Sequence, residues 1–164
     1  MAKKPIQETE ILKVLQTVKD PEITSVSIID LGMIEKVEIN QPQLRIYLLP
    51  TFLGCPALEI IKGNVINALA CFNEFTEIQV EFLLHPPWTS DRISEDGRRQ
   101  LLEFGIAPPP TFITETGEWT VNCPYCSSPY TTLENLFGPT ACRSILYCKS
   151  CKNPFEAMKP MANM

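Results

Sequence analysis

Four cysteines stand as two pairs, Cys123 and Cys126 in "CPYC" and Cys148 and Cys151 in "CKSC", with 21 residues between the pairs. Each CxxC can form a tight knuckle that presents two thiolates to one ion. Two knuckles make a tetrahedral four-sulfur site, the closed geometry of structural Zn²⁺. The gap is slightly longer than the usual ~15–20 residues for this pattern. Iron competes for the same sulfur set, because tetrahedral S₄ suits both metals, and a disulfide pair is a lesser alternative. Strand-like flanks, "TVNCPYC" and "SILYCKSC", point to a zinc ribbon. So small a module buries too little apolar surface to fold alone, so the metal supplies folding energy. Cys142, in "FGPTACRS", is a fifth cysteine inside it. It is read either as a small buried hydrophobe or as an extra ligand for a transferred or alternative metal.

Cys55, in "TFLGCPALEI", has no partner in its own neighbourhood. Pro56 places it at the mouth of a helix, where unpaired N–H groups and the dipole favour an anion. A lowered thiol pKa is expected there, which makes a better nucleophile or soft-metal ligand. Gly54 permits close approach by a partner. The alternative is a cysteine that merely packs, which is also the expectation for Cys71 in "NALACF". Asp30 interrupts the apolar "SIIDLGM" and needs partners. It either caps a turn or serves as an acid beside Cys55. Thr51 either caps its loop or donates to a bound thiolate. His85, the single histidine, is read as a strand-end residue held by backbone, with a ligand or proton-shuttle role as the alternative. Trp88 is expected to pack or to form part of a partner patch, and Arg98 and Arg99 to form a solvated helix face.

The elements that must position these residues follow from periodicity. "ETEILKVLQTVKD" reads as a helix with Ile11, Leu12, Leu15 and Val18 on one face, closed by Pro21. "IEKVEINQPQLRIYLL" reads as a hairpin turning at Asn40 to Gln43. "PALEIIKGNVINALACF" reads as a helix with Leu58, Ile61, Val65, Ala68 and Phe72 on its stripe. "TEIQVEFLL" is a strand and "SEDGRRQLLEF" a helix capped by Ser94. The expected fold class is α/β (α+β): a small open sandwich in the order helix-strand-strand-helix-strand-helix, followed by the C-terminal zinc ribbon. Three prolines in "APPPTFITETGEW" cannot continue a helix. The expected boundaries are therefore residues 1–106 for the main domain, 107–118 for a Pro-rich linker and 119–160 for the ribbon.

The net charge is −5, with 45% hydrophobic and 20% charged residues. A packed core is expected, and an acidic balance disfavours a zinc-ribbon nucleic-acid binder. No apolar run suggests a signal peptide or a membrane span, so a cytoplasmic protein without a membrane partner is expected. Seven cysteines then suggest metal ligands or reactive thiols rather than disulfides. The chain shows no GxGxxG, P-loop, Glu-x-x-His repeat or histidine-based triad, so an accessory protein is favoured over an enzyme.

"DPEI" (20–23), "IIDLGMI" (28–34) and "LLPTFLGCPALE" (48–59) together resemble the MIP18-like family, also known as the DUF59 domain. "HPPWTSDRISEDGRRQLLEFGIAPP" followed by a ribbon with "LFGPTACRSILYC" is similar to the PaaD family (also PaaJ), the D component of the phenylacetyl-CoA epoxidase system, over nearly the whole chain. The resemblance implies iron–sulfur cluster assembly or delivery for an oxygenase with a di-iron centre and a reductase with flavin and a [2Fe–2S] cluster. It implies oxygenase or reductase components, and iron–sulfur assembly proteins, as partners in phenylacetate catabolism. It makes Cys55 the cluster-handling candidate and Asp20 and Glu22 candidates for the rim of its site, solvated carboxylates of a helix-ending loop being the alternative; Asp30 and Thr51 join them from the residue reading above. Structural Zn²⁺ and a transient iron or iron–sulfur cluster are the expected cofactors. The rival reading is a working electron-transfer or structural subunit of the monooxygenase.

Overall fold

The computed structural model describes residues 5–110 and 113–161. Helix α1 spans Glu8–Leu15 and opens with the Glu10 carboxylate accepting from the Gln7 amide at 2.9 Å. It stops short of the expected Asp20. The Val18 carbonyl accepts from Ile28 N–H, and Asp20 N–H donates to Val26, each at 3.0 Å. Those pairings take backbone groups that a longer helix would have used, so tertiary structure overrides the helical pattern.

Strands β1 (Ile34–Asn40) and β2 (Gln43–Leu48) form the antiparallel hairpin read from the alternation. Leu44, Ile46 and Leu48 are fully buried, while Val37 and Ile39 are partly covered. Helix α2 (Ala57–Leu69) crosses to β3 (Glu77–Phe82), which lies parallel to β2 and leaves β2 in the centre of the sheet. The buried stripe of α2 is Ala57, Ile61, Val65 and Leu69. Leu58, Ala68 and Phe72, expected on it, flank it and are only partly buried. Cys71 is a clear correction: it lies beyond the end of α2 and is exposed, not packed.

Helix α3 (Glu95–Phe104) is capped by Ser94, whose hydroxyl accepts from Gly97 N–H at 2.9 Å. It ends at Gly105, with φ +90°, and runs directly into β4 (Ile106–Ala107). Strand β4 does not join the first sheet. It pairs in parallel with β7 (Pro154–Met158), at the edge of a second sheet ordered β4-β7-β6-β5, where β5 is Thr131–Asn135 and β6 is Arg143–Cys148. The boundary expected at residue 106 therefore falls inside a strand, and Ala107, expected in the linker, is fully buried in the ribbon's core. Thr111 and Phe112 of that linker lie outside the described residues.

The two halves are sewn together at several points. Ile106 and Met158, both 2% exposed, belong to the first core. A fully buried methionine contributes about 1.5–3 kcal/mol, so this docking is energetically substantial. Arg98, expected to be solvated, donates to the Pro109 carbonyl at 2.8 Å and the Ser90 carbonyl at 3.0 Å. Met161 N–H donates to the Ser90 hydroxyl at 2.7 Å. Trp88 packs in the first core and donates its indole N–H to the Leu31 carbonyl. Among the described residues no helix is long and apolar enough to cross a membrane.

Candidate metal-handling sites

The ribbon brings Cys123, Cys126, Cys148 and Cys151 together with all four sulfurs within 4.8 Å of one another. Cys123 lies 3.7 Å from Cys151, and Cys126 lies 3.6 Å from Cys148, sulfur to sulfur. A tetrahedral ion with metal–sulfur bonds of about 2.3 Å spaces its ligands about 3.8 Å apart, so the quartet fits one metal ion. The knuckles are shaped by Ser127 N–H to the Cys123 carbonyl and Lys152 N–H to the Cys148 carbonyl, each at 2.9 Å. The turn residues Ser127 and Lys152 take positive φ, 60° and 62°. At Cys148 the N–H of Cys151, helped by that of Ser150, overcomes burial and lowers the thiol to about 6. At Cys126 the Ser128 N–H favours the thiolate, but burial and the three neighbouring sulfurs push it up to about 12. Four sulfurs this close need a cation before all of them can ionise.

Cys142 is not a fifth member of this quartet. It precedes β6 at the end opposite Cys148. At about 3.3 Å per residue the two are about 20 Å apart along the strand. That distance keeps Cys142 out of the ribbon's own metal site and leaves a role toward a different metal as the reading for it.

Cys55 stands on the loop between β2 and α2, half-buried, with Ala57 N–H donating to its sulfur. The expected lowering of its pKa does not occur. Burial pushes the thiol up, the Ala57 amide only partly offsets this, and the nearby Glu22 and Asp20 carboxylates push it further. The helix-mouth field is weaker here than desolvation and like charge.

Asp20 is 9% exposed. Its Oδ1 accepts from Glu22 N–H at 2.8 Å and Ile23 N–H at 3.0 Å. Burial raises its pKa against those two bonds and the charge of Arg143. Glu22 is half-buried on the same turn, and its charge reaches Cys55. Thr51 is buried in the loop leading to Cys55, and its hydroxyl makes no hydrogen bond among the described residues.

Asp30 is committed elsewhere. Its Oδ2 accepts from Gln16 Nε2 at 2.6 Å and Ser27 Oγ at 2.8 Å, and its Oδ1 from Ser94 Oγ at 2.9 Å. Burial works against its charge, but the three hydrogen bonds outweigh it and hold the carboxyl below the usual range. It ties α1, the 27–33 turn and the cap of α3 into one unit. His85 is exposed and accepts or donates no hydrogen bond among the described residues, so it is not held by backbone as expected.

The structure also brings up residues that motif reading did not place here. Arg143 lies close enough to Asp20 for its charge to be felt there. The Lys159 ammonium lies 5.4 Å from the Phe52 ring centre and 4.6 Å from that of Phe137. The single sequence signal for this meeting was the surplus cysteine, Cys142.

Comparison with known proteins agrees with this two-part layout. Residues 8–82 match the family model described as iron–sulfur cluster assembly protein, and residues 107–159 match the PaaD zinc beta ribbon domain. A protein of Escherichia coli (strain K12), described as the D component of 1,2-phenylacetyl-CoA epoxidase, is 40% identical over 156 residues, 94% of each chain. The chain belongs to the PaaD family. This PaaD family member shares its first half with smaller proteins. The Fe-S protein maturation auxiliary factor YitW of Bacillus subtilis (strain 168) is 36% identical over 85 residues, 51% of this chain and 82% of that protein. A crystal structure of a DUF59 domain from Bacillus anthracis superposes with a TM-score of 0.54 and 30% identity, covering 57% of this chain and 90% of that one. The resemblance carried by "DPEI", "IIDLGMI" and "LLPTFLGCPALE" is thereby borne out.

Proposed function

We propose that this protein is an accessory maturation factor of a multicomponent phenylacetyl-CoA epoxidase and assists assembly of the enzyme's iron–sulfur or di-iron centre. The observation that carries the reading is the union, in one chain, of a cluster-assembly domain with a PaaD ribbon, matched over 94% of a relative from the epoxidase system. In this reading Cys55 handles the metal cargo, Asp20 and Glu22 form the acidic rim of its site, and the Thr51 hydroxyl donates to a metal-bound thiolate. The four ribbon cysteines hold one structural Zn²⁺, which keeps a docking surface rigid and takes no part in turnover. The clients are the oxygenase or reductase components, reached in the cytoplasm alongside iron–sulfur assembly proteins.

The reading is tested by separating maturation from turnover. Oxygenase and reductase components purified with filled metal centres are expected to epoxidise phenylacetyl-CoA without this protein. The same components made in cells that lack it are expected to be short of iron or [2Fe–2S]. Filled components that stay inactive until this protein is added in stoichiometric amount would make it a working subunit instead.

A further inference from the structure

Outside the ribbon quartet three cysteines remain, Cys55, Cys71 and Cys142. Cys71 is exposed. The other two stand on facing sides of the seam between the halves, Cys55 on the loop before α2 and Cys142 just before β6. The Cys142 carbonyl accepts from Lys159 N–H at 2.8 Å, which fixes Cys142 beside the end of β7. The ammonium of that same Lys159 lies over Phe52, three residues before Cys55. Met158, the neighbour of Lys159, is buried in the first core. Cys142 is itself buried, with its sulfur 3.3 Å from the Thr140 hydroxyl, and lies within electrostatic reach of both Asp20 and Cys55. The Asp20 Oδ2 accepts no hydrogen bond among the described residues, although the residue is 9% exposed. The seam thus holds two thiols and an uncommitted carboxylate oxygen.

We propose that Cys55 and Cys142 form one cargo site, two thiolates from opposite halves of the molecule that hold a [2Fe–2S] cluster between them, with Asp20 beside it. This rests on the maturation reading above and adds the second ligand. A single ion fits less well, because among the described residues only the ribbon quartet gathers three or more ligand atoms within 4.8 Å. A two-iron cluster spreads its ligands more widely. It takes four ligands, so two positions remain for thiols of a scaffold or client, as a site that passes its cargo on requires. A thiolate-bound cluster is an anion; Lys159 brings a cation to the seam, and Arg143, itself paired with Glu156, still lowers the cost of charge at Asp20 and Cys142. Loading moves no electrons: as each protein sulfur–iron bond forms, one carrier thiolate leaves its iron and takes up the proton that the protein thiol gives up.

The test uses the full chain with its ribbon filled with zinc. Anaerobic incubation with a glutathione-ligated [2Fe–2S] cluster is followed by visible absorption and by iron, sulfide and zinc content. The wild type is expected to take up iron and sulfide. Cys55→Ser and Cys142→Ser are each expected to lose bound iron by at least about tenfold, the range in which lost metal-site contacts are felt, with zinc unchanged. Cys71→Ser is expected to behave as the wild type. Iron uptake by Cys142→Ser equal to that of the wild type overturns the proposal while leaving the maturation reading intact. So does a wild type that takes up no iron, because client loading in cells is measured separately.

A second measurement needs no variant. A short bis-maleimide with an ethane spacer reaches across thiols too far apart for one atom, adding one thioether at each with no leaving group. Mass spectrometry is expected to find the Cys55 and Cys142 peptides joined through one crosslinker. Crosslinks confined to other cysteines overturn the shared site, even if Cys142 variants fail to fold.

Discussion

Glu22 and Asp20 place two negative charges near the Cys55 sulfur, and together with burial they keep the thiol protonated to higher pH than an ordinary cysteine. Glu22→Gln removes one of those charges without much change of volume. At fixed pH near neutrality Cys55 is then expected to react faster with iodoacetamide, and its labelling profile to move to lower pH. An unchanged profile would assign the effect to burial and Asp20 and leave Glu22 no part in it. Asp30 carries the opposite shift. Its folded pKa lies below the ordinary value of 3.8, so its contribution is fully present above that value. The contribution is lost as pH falls through the folded value. Asp30→Ala is expected to lower stability at neutral pH and to flatten the acid limb of a stability–pH curve. A steep limb that survives the substitution would place acid sensitivity at another carboxylate.

Two glycines make opposite predictions at the scale of the elements. Gly32, in the turn before β1, takes φ +67°, and a Cβ there would stand 2.3 Å from the Arg92 carbonyl oxygen. Backbone cannot yield as a side chain can. Gly32→Ala combines a left-handed cost of about 1–2 kcal/mol with overpacking of about 1–3 kcal/mol, and urea denaturation is expected to show a loss in that summed range. Gly63, inside α2, has nothing within 4 Å of its would-be Cβ. Gly63→Ala is expected to stabilise the chain by about 0.5–1 kcal/mol through helix propensity alone. The reverse order of these two effects would mean that the turn relaxes away from Arg92. The turn matters because Leu49 N–H donates to the Met33 carbonyl at 2.7 Å, just where the chain enters the Cys55 loop.

The docked ribbon makes metal content a property of the whole molecule. Met158 and Ile106 lie in the first core, and Ser90 is held by Met161. Removing the ribbon metal with a chelator is expected to destabilise both halves, with hydrogen exchange rising in β7 and around Ser90 as well as at the knuckles. The coupling is expected to be at least the ~1.5–3 kcal/mol of one buried methionine. Exchange confined to residues 113–158 would show that the halves are joined without sharing stability. Arg98→Ala, which removes the bonds to Pro109 and Ser90, is expected to weaken the same coupling while leaving the knuckles intact.

The ribbon quartet, the hairpin, the Ser94 cap and the order strand-helix-strand were all legible in the amino-acid order, because each is encoded within a few residues. Paired CxxC spacing makes knuckles, alternation makes strands, and a hydroxyl three residues before Gly97 makes a cap. The family resemblance was legible for the same reason, since its motifs are short. What the order of residues could not show was decided by contacts without a period. Helix α1 ends early because residues 18–20 pair with 26–28, and Cys71 is exposed because α2 stops at Leu69. Arg98 leaves solvent because Pro109 returns to it. The meeting of Cys142 with the Asp20–Cys55 seam depends on β4 pairing with β7 across some fifty residues of sequence. The raised thiol of Cys55 follows from its packing against the first core and from the charges of Glu22 and Asp20, which no local rule for a helix mouth contains.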